Sequence, residues 1–151
     1  MAVTTFAAID IGSYEVSMKI FEMSKRIGFR EINDVRYQLE LGRGTYAAGR
    51  LEMETVDELC EILNDFKRMM AEFGVESWRA CATSSLRELE NPVIILEQIY
   101  QRTGIRVEIL SNAEQHFLGY KSIAAIESGF KKAIQKGTAI LEIGGGNLQI
   151  S

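Results

Sequence analysis

The sequence predicts an α/β protein in which helices pack against one mixed β-sheet. In the first part of the chain apolar side chains alternate with polar ones, which is typical of strands joined as a meander. Two later segments begin with a Ser/Thr-x-x-Glu motif, which marks a helix start, and the first of them carries apolar residues at helical spacing. Short apolar runs between the helical segments indicate further strands, so strands and helices alternate over the second part of the chain.

Three strands and a loop are predicted first. A run of β-branched and apolar residues from Val3 to Ile11 indicates a central strand, and Gly12 begins the turn after it. Alternation between Val16 and Phe21 indicates a returning strand, and a third strand is predicted by apolar residues of one parity: Val35, Tyr37, Leu39 and Leu41. The next segment is predicted to be a mobile loop because it contains three glycines and two arginines: Gly42, Gly44, Gly49, Arg43 and Arg50.

The first helix is predicted to begin at Thr55, because Thr55-x-x-Glu58 is a capping box, and to end at Gly74. A short strand from Trp78 to Thr83 follows it. An Asn-Pro pair at residues 91 and 92 then predicts the start of a second helix, which runs to residue 104.

A strand from Arg106 to Leu110 leads into the third predicted helix, which continues to about Ala125. A second capping box, formed by Ser111 and Glu114, opens this helix. The helix cap alone therefore explains why a Glu is found at position 114, without a catalytic role. The last strand is predicted from Thr138 to Ile143.

One short pattern occurs near both ends of the chain. Residues 8–13 and 141–147 each give an apolar residue, a carboxylate, an apolar residue, glycine and a small polar residue. This repeat predicts a first lobe over residues 1–136 and the start of a second, truncated lobe at residues 137–151. We therefore expect the chain to be part of a longer protein, and expect it to be inactive alone because half of the cleft is missing. Its last strand would leave an edge that could pair with another copy and form a homodimer.

Each copy of the pattern predicts a buried strand that delivers one carboxylate to a glycine turn. Backbone amides in such a turn can form an anion-binding concavity, and a nearby carboxylate can hold a hard cation. Two opposed copies could therefore bind a phosphate chain from both sides. Between them, the hydroxyls and the arginine of residues 83–87 follow a strand end, where they could bind phosphate. A helix cap followed by a surface arginine is an equally good interpretation of that segment.

Composition limits the other functional classes. The net charge is −4, so general attraction to nucleic acid or to an anionic membrane is not expected. The sequence shows neither a signal-peptide pattern nor an apolar window of membrane-spanning length. Cys60 and Cys81 lie in apolar patterns, which is typical of buried free thiols in a reducing compartment. We therefore expect a cytoplasmic protein that binds neither DNA nor membrane.

Taken in order, these motifs resemble those of the exopolyphosphatase and guanosine pentaphosphate phosphatase (Ppx/GppA) family. Residues 8–13 resemble its first phosphate loop, residues 82–87 its threonine-arginine segment, and residues 143–146 the glycine loop of its second lobe. Residues 41–42 and 49–51 resemble the loop before its first helix. The resemblance implies a ribonuclease H-like fold of the actin, sugar-kinase and heat-shock chaperone ATPase superfamily. It also implies polyphosphate or a guanosine nucleotide as the ligand, and Mg²⁺ as the cofactor.

The resemblance further implies roles for particular residues. Asp10 and Glu142 would face each other across the cleft and bind Mg²⁺, directly or through water. Phosphate would be bound by the two glycine loops and the threonine-arginine segment, through Gly12, Ser13, Thr83, Arg87, Gly144, Gly145, Gly146 and Asn147. The catalytic candidates are Gln115, which occupies the position of the family's general base, and two substitutes for it, Glu142 and Glu114.

Four residues depart from the family pattern at the expected site. Tyr14 replaces the usual Asn, Gln115 replaces the general-base Glu, Glu142 is one methylene longer than the usual Asp, and Asn147 replaces a Ser. Gln can orient water but cannot accept its proton, and a positioned general base contributes about 100- to 10,000-fold in rate. Three functions stay open: a slow hydrolase of terminal phosphoanhydrides, a polyphosphate or guanosine nucleotide sensor, and a superfamily ATP-dependent kinase or ATPase.

Overall fold

The computed structural model describes residues 3–26, 28–126, 135, 137, 139–145 and 148–150. The strands of its main sheet are β1 (Thr4–Ile11), β2 (Glu15–Ser24), β3 (Gly28–Gln38), β4 (Ser77–Ala82) and β5 (Val107–Ile109). They lie in the order β3-β2-β1-β4-β5, so β1 is central, as predicted. The meander β1–β3 is antiparallel, whereas β4 and β5 continue the sheet in parallel with β1. The sheet is therefore mixed, and this part of the prediction is confirmed.

The helices in the described part of the chain are α1 (Leu41–Ala48), α2 (Met53–Glu72), α3 (Ser84–Arg87), α4 (Pro92–Thr103) and α5 (Asn112–Ile126). Two further strands, β6 (Leu141–Ile143) and β7 (Leu148–Ile150), form a separate antiparallel sheet. None of the helices in the described ranges is both long enough and apolar enough to cross a membrane.

The alternating sequence of β1 and β2 explains which face of the sheet forms the core. Ala7, Ile9 and Ile11 of β1 are buried, and so are the residues of one parity in β2: Val16, Met18 and Ile20. The apolar stripe of α2 packs on this face, where Phe66 lies 5.7 Å from the ring of Tyr37. Residues of the other parity, Asp10 among them, point away from this core.

The predicted mobile loop after β3 is wrong, because this segment is the helix α1. The strand ends at Gln38, so Leu39 and Leu41 are buried outside it. Gly42 lies inside the helix, where the ring of Tyr46 occupies the space that a side chain would take. Gly42 also lies against Ser13 of the turn after β1, and this tertiary packing overrides the low helix propensity of glycine. Gly49 ends the helix in the left-handed conformation, as glycine does at many helix C-termini.

The two capping boxes have different outcomes. The Ser111–Glu114 box is confirmed: the Ser111 amide donates to Glu114 Oε2 at 2.9 Å, and the Glu114 amide donates to Ser111 Oγ at 3.2 Å. The predicted start at Thr55 is wrong, because α2 begins at Met53 and the Thr55 amide already donates to the Glu52 carbonyl. Glu52, which is extended, takes the N-cap position, so Thr55 falls inside the first turn of the helix.

Other predictions concern the middle and the end of the chain. Asn91 takes the N-cap position of α4, but its side chain makes no capping hydrogen bond. Both cysteines are free; Cys60 is buried as predicted, whereas Cys81 is only half-buried. Thr138 lies outside the described residues, and the described strand β6 begins at Leu141. The division into lobes at residue 136 stays a prediction.

Candidate functional site

The first glycine turn lies at the end of the central strand β1. The Gly12 amide donates to the Glu15 carbonyl at 2.9 Å, and this hydrogen bond closes the turn into β2. A Cβ at position 12 would lie 2.9 Å from the same carbonyl oxygen, so the turn requires glycine. The turn places Ser13 and Tyr14 beyond the C-terminal end of β1, close to α1 and α3.

A cluster of three hydroxyl groups fixes this turn. Ser13 Oγ lies 2.7 Å from the Tyr46 hydroxyl and 3.2 Å from Ser84 Oγ, and the Tyr46 hydroxyl donates to Ser84 Oγ at 2.8 Å. In addition, Ser85 Oγ donates to the Gly12 carbonyl at 3.2 Å. The turn is therefore fixed by residues of α1 and α3. Sequence reasoning missed Tyr46, since it lies in the segment that glycine content marked as a loop.

The threonine-arginine segment forms the connection from β4 into α3. The Thr83 amide donates to the Ile11 carbonyl at 3.4 Å, which joins this connection to the end of β1. Arg87 is 17% exposed, and its Nη1 donates to the Leu110 carbonyl at 2.6 Å. Arg87 therefore links α3 to the chain just before α5. This contact supports a structural role for Arg87, and the phosphate-binding role stays a prediction.

The second glycine turn lies against the first. A Cβ on Gly145 would lie 3.2 Å from Cβ of Ser13 and 3.5 Å from Cβ of Tyr14, so the Gly145 backbone lies close to both residues. Gly144 is exposed beside this contact. Gly146 and Asn147 are outside the described residues, so their predicted phosphate contacts stay predictions. The structure thus brings together one part of each glycine turn.

Two carboxylates, those of Glu15 and Glu142, interact electrostatically with Asp10 next to these turns. The pKa of Asp10 is raised from 3.8, first because surrounding protein atoms desolvate its carboxylate and then because the carboxylates of Glu15 and Glu142 repel its charge. The Asp10 residue as a whole is nevertheless exposed, so a ligand can reach it. Glu15 was not among the sequence candidates; its position three residues after Gly12 in the hairpin was the signal available.

The carboxylates suit a hard cation such as Mg²⁺. Oxygen ligands are those that Mg²⁺ prefers, and the ion usually retains several waters, so one or two carboxylates are enough to bind it. Asp10 and Glu142 would hold it, with the mutual repulsion of the two charges relieved by the ion. Within the described ranges, no group of three or more acidic, histidine or cysteine side chains forms a complete metal site.

Helix α5 brings its own residues to Glu142. A Cβ at Gly119 would lie 2.9 Å from Glu142 Oε2, so the carboxylate lies directly over this glycine. Gln115 is one helical turn earlier and therefore on the same face of α5. Its Oε1 is buried and has no hydrogen-bond partner among the described residues. A buried acceptor without a partner costs about 1–3 kcal/mol, which a bound water or ligand donor would recover.

Glu114, the other catalytic candidate, is occupied by the helix cap. Hydrogen bonds from the backbone and side chain of Ser111 lower the pKa of Glu114 from 4.5. Successive helical residues project about 100° apart, so Glu114 does not share the face that carries Gln115 and Gly119. The geometry thus favours Glu142 over Glu114 as the carboxylate next to Gln115.

Known proteins resemble this chain over most of its length. The model of the Ppx/GppA phosphatase family matches residues 20–151. Exopolyphosphatase 2 of Mycobacterium tuberculosis is 26% identical to this chain, over 99% of this chain and 48% of the length of the exopolyphosphatase. The guanosine-5'-triphosphate,3'-diphosphate pyrophosphatase of Vibrio parahaemolyticus is 23% identical over 96% of this chain and 28% of its own. The chain therefore spans less than half the length of these curated relatives.

A crystal structure of the Aquifex aeolicus member of the Ppx/GppA family superimposes with a TM-score of 0.79. It is 22% identical and covers 99% of this chain, which in turn covers 51% of the Aquifex chain. This similarity confirms the predicted fold class, a mixed sheet with flanking helices of the ribonuclease H-like, actin-related kind. Together with the family match over most of the residues, it also confirms the resemblance carried by the motifs. The chain belongs to the Ppx/GppA phosphatase family.

Proposed function

We propose that the complete protein hydrolyses terminal phosphoanhydride bonds of polyphosphate or guanosine pentaphosphate between the two glycine turns. One observation carries the proposal: Gly145 lies against Ser13, and the carboxylates of Asp10 and Glu142 interact next to this contact. Backbone amides of such turns suit phosphate oxygens, and the acids suit the cation that accompanies a polyphosphate. Relatives are named as exopolyphosphatases and as a guanosine pentaphosphate-type pyrophosphatase, which supports the same substrate classes.

Such a reaction needs a positioned water, neutralised phosphate oxygens and a group that orients or deprotonates the water. The glycine turns and Arg87 would hold the phosphates. Mg²⁺, when bound by Asp10 and Glu142, would neutralise phosphate charge. This requirement is the physical reason for gathering acids beside a site that binds an anion.

The residues on α5 would act on the water. Gln115 Oε1 can accept a hydrogen bond from it, because this acceptor is buried and has no partner among the described residues. Glu142, over the same helix face, would take the proton. The water oxygen then bonds to the terminal phosphorus, the bond from phosphorus to the bridging oxygen breaks, and the shortened chain leaves with that oxygen. Turnover would be slow, because Glu142 is not at the family's base position.

The test compares phosphate release by wild type and Gln115→Glu in the complete protein with Mg²⁺. A carboxylate at position 115 should raise the rate at least about 10-fold, since a positioned base contributes about 100- to 10,000-fold. Gln101→Glu is a matched control, since Gln101 lies on α4 and is hydrogen-bonded to Glu97. The proposal fails if neither wild type nor Gln115→Glu releases more phosphate than an Asp10→Asn variant.

A second candidate function is a sensor that binds these ligands without turnover. The side-chain amide of Gln115 favours it. The family's base position holds a group that cannot accept a proton, which would weaken catalysis while leaving binding intact. A sensor predicts ligand binding by wild type, no measurable turnover, and turnover that appears in Gln115→Glu. A hydrolase that uses Glu142 predicts turnover in wild type that Glu142→Gln removes.

A further inference from the structure

A cavity of about 570 Å³ opens beside the first glycine turn, and two tyrosine rings are part of its wall. Its volume is in the range of sites that bind small molecules, about 300–1,000 Å³. The residues that matter here are Ser13, Tyr14, Gly42, Arg43, Tyr46 and Gly145. The cavity is therefore continuous with the glycine turns described above.

Tyr46 is held rigidly in this wall. Its hydroxyl is hydrogen-bonded to two serines, and its Cε2 lies 2.7 Å from where a Cβ of Gly42 would be. The residue is still 46% exposed. The ring is thus fixed at its polar end and on one side, while much of its surface stays open to a ligand.

Tyr14 is anchored in a similar way. Gln38 Nε2 donates to its hydroxyl at 2.5 Å, and the Leu39 amide donates to its carbonyl at 3.0 Å. The residue is 55% exposed, and Gly145 of the opposite turn lies against its backbone. An exposed ring that is already oriented loses little conformational entropy when a ligand packs on it.

Arg43 adds a positive charge to the cavity. Its guanidinium makes no hydrogen bond and no ion pair with any residue in the described part of the chain, and it is exposed. The other charged residue in the wall is Glu40, whose carboxylate could accept hydrogen bonds from ring N–H groups. The cavity therefore combines aromatic surface, a cation and an acceptor.

We propose that this cavity binds the base of a nucleoside polyphosphate whose phosphate chain lies on the glycine turns. The proposal rests on the proposed function and selects between its two substrate classes. A linear polyphosphate has no apolar face, so the tyrosine rings would not stabilise it. A base that stacks on an aromatic ring gains about 5- to 150-fold in affinity. Tyr14 would then be the residue that sets the preference for a nucleotide.

The test measures two dissociation constants in the complete protein with Mg²⁺, one for GTP and one for tripolyphosphate, by titration calorimetry. Tripolyphosphate presents the same number of phosphates without a nucleoside, so the ratio of the two constants isolates the base. In wild type, GTP should bind about 5- to 150-fold more tightly than tripolyphosphate. Tyr14→Ala should bring the ratio close to one, whereas Tyr14→Phe, which keeps the ring, should preserve it.

Phe29→Ala is the matched control, because Phe29 is equally exposed, at 58%, but lies on β3 outside the cavity. It should leave the ratio unchanged. Tyr14→Asn, the residue usual in the family, is a second variant if Tyr14→Ala does not fold. Equal affinities in wild type, or a ratio unaffected by losing the Tyr14 ring, would overturn the nucleotide proposal while leaving phosphate binding intact. Binding of neither compound would overturn the proposed function and the nucleotide proposal together.

Discussion

Replacing Gly119 by alanine should stabilise the fold of the protein and, at the same time, slow its phosphate release. Gly119 lies inside α5 with an ordinary helical backbone, so the change gains helix propensity worth about 0.5–1 kcal/mol. The added methyl carbon, however, would lie 2.9 Å from Glu142 Oε2. Ordinary contact with a Cβ begins near 3.4 Å, so the carboxylate must move away. Because that carboxylate is the end of a flexible side chain, moving it costs little folding energy.

The cost appears in the rate. Relieving the contact requires a shift of at least about half an ångström, and a misplacement of about 1 Å can cost about 100-fold in rate. We therefore expect Gly119→Ala to lower phosphate release about 10- to 100-fold. A purely structural role for Gly119 would instead change stability and leave the rate unaffected.

The assay combines urea unfolding with phosphate release by the complete protein, and Glu142→Asp supplies the control. Aspartate is one methylene shorter and is the usual residue of the family, so it should fit beside an alanine at position 119. If Gly119→Ala acts by displacing the Glu142 carboxylate, it should slow Glu142→Asp much less than it slows wild type, with a coupling energy of about 1–3 kcal/mol between the two sites. A full-rate Gly119→Ala variant, or strictly additive effects of the two changes, would refute this account of the carboxylate.

Three further predictions test contacts around the site. Tyr46→Phe removes the hydroxyl that bonds two serines and should lower the free energy of unfolding by about 1 kcal/mol; an unchanged urea midpoint would contradict this. Arg87→Met loses the hydrogen bond to the Leu110 carbonyl and should lower it by about 1.5–3 kcal/mol. A matching loss of tripolyphosphate affinity, in calorimetry, would separate phosphate binding by Arg87 from a structural role alone. Glu114→Gln removes a carboxylate whose pKa is lowered from 4.5 by hydrogen bonds from Ser111, so its stabilisation is present above pH 4.5 and disappears as the pH falls through the lowered value. Unfolding curves of both proteins across that pH range should converge in acid; a constant difference would exclude this linkage.

Local sequence rules predicted the elements whose ends are set by the chain itself. Ser111 lies two residues after the end of β5, and its capping box with Glu114 sets where α5 begins. Gly104 likewise ends α4 in the left-handed conformation that only glycine adopts easily. The alternation of apolar and polar residues along β1 and β2 predicted which side chains are buried, because only one face of the sheet is covered by helices.

The parts that sequence rules missed depend on contacts between distant segments. In helix α1, Tyr46 is hydrogen-bonded to Ser13 and Ser84, which are 33 and 38 residues away in the chain. No local pattern contains that information, whereas glycine content alone favours a loop. The same holds for Gly119: its role is visible only once Glu142, from a distant strand, lies above it.

Two of the departures of this chain from the family pattern, Gln115 and Glu142, are related in space. Position 115 on α5 lacks a carboxylate. The carboxylate of Glu142 lies over Gly119, one helical turn after Gln115, and the missing side chain of Gly119 leaves room for the longer Glu142 side chain. Independent decay of an unused site would have no reason to lengthen one acid next to the place where another was lost. Burial first, and repulsion by the carboxylates of Glu15 and Glu142 second, raise the pKa of Asp10 and disfavour its charged form, which a bound cation would relieve. We therefore favour the proposal that Glu142 of β6 serves as the proton acceptor, in place of a carboxylate on α5, over the proposal that the acceptor is lost.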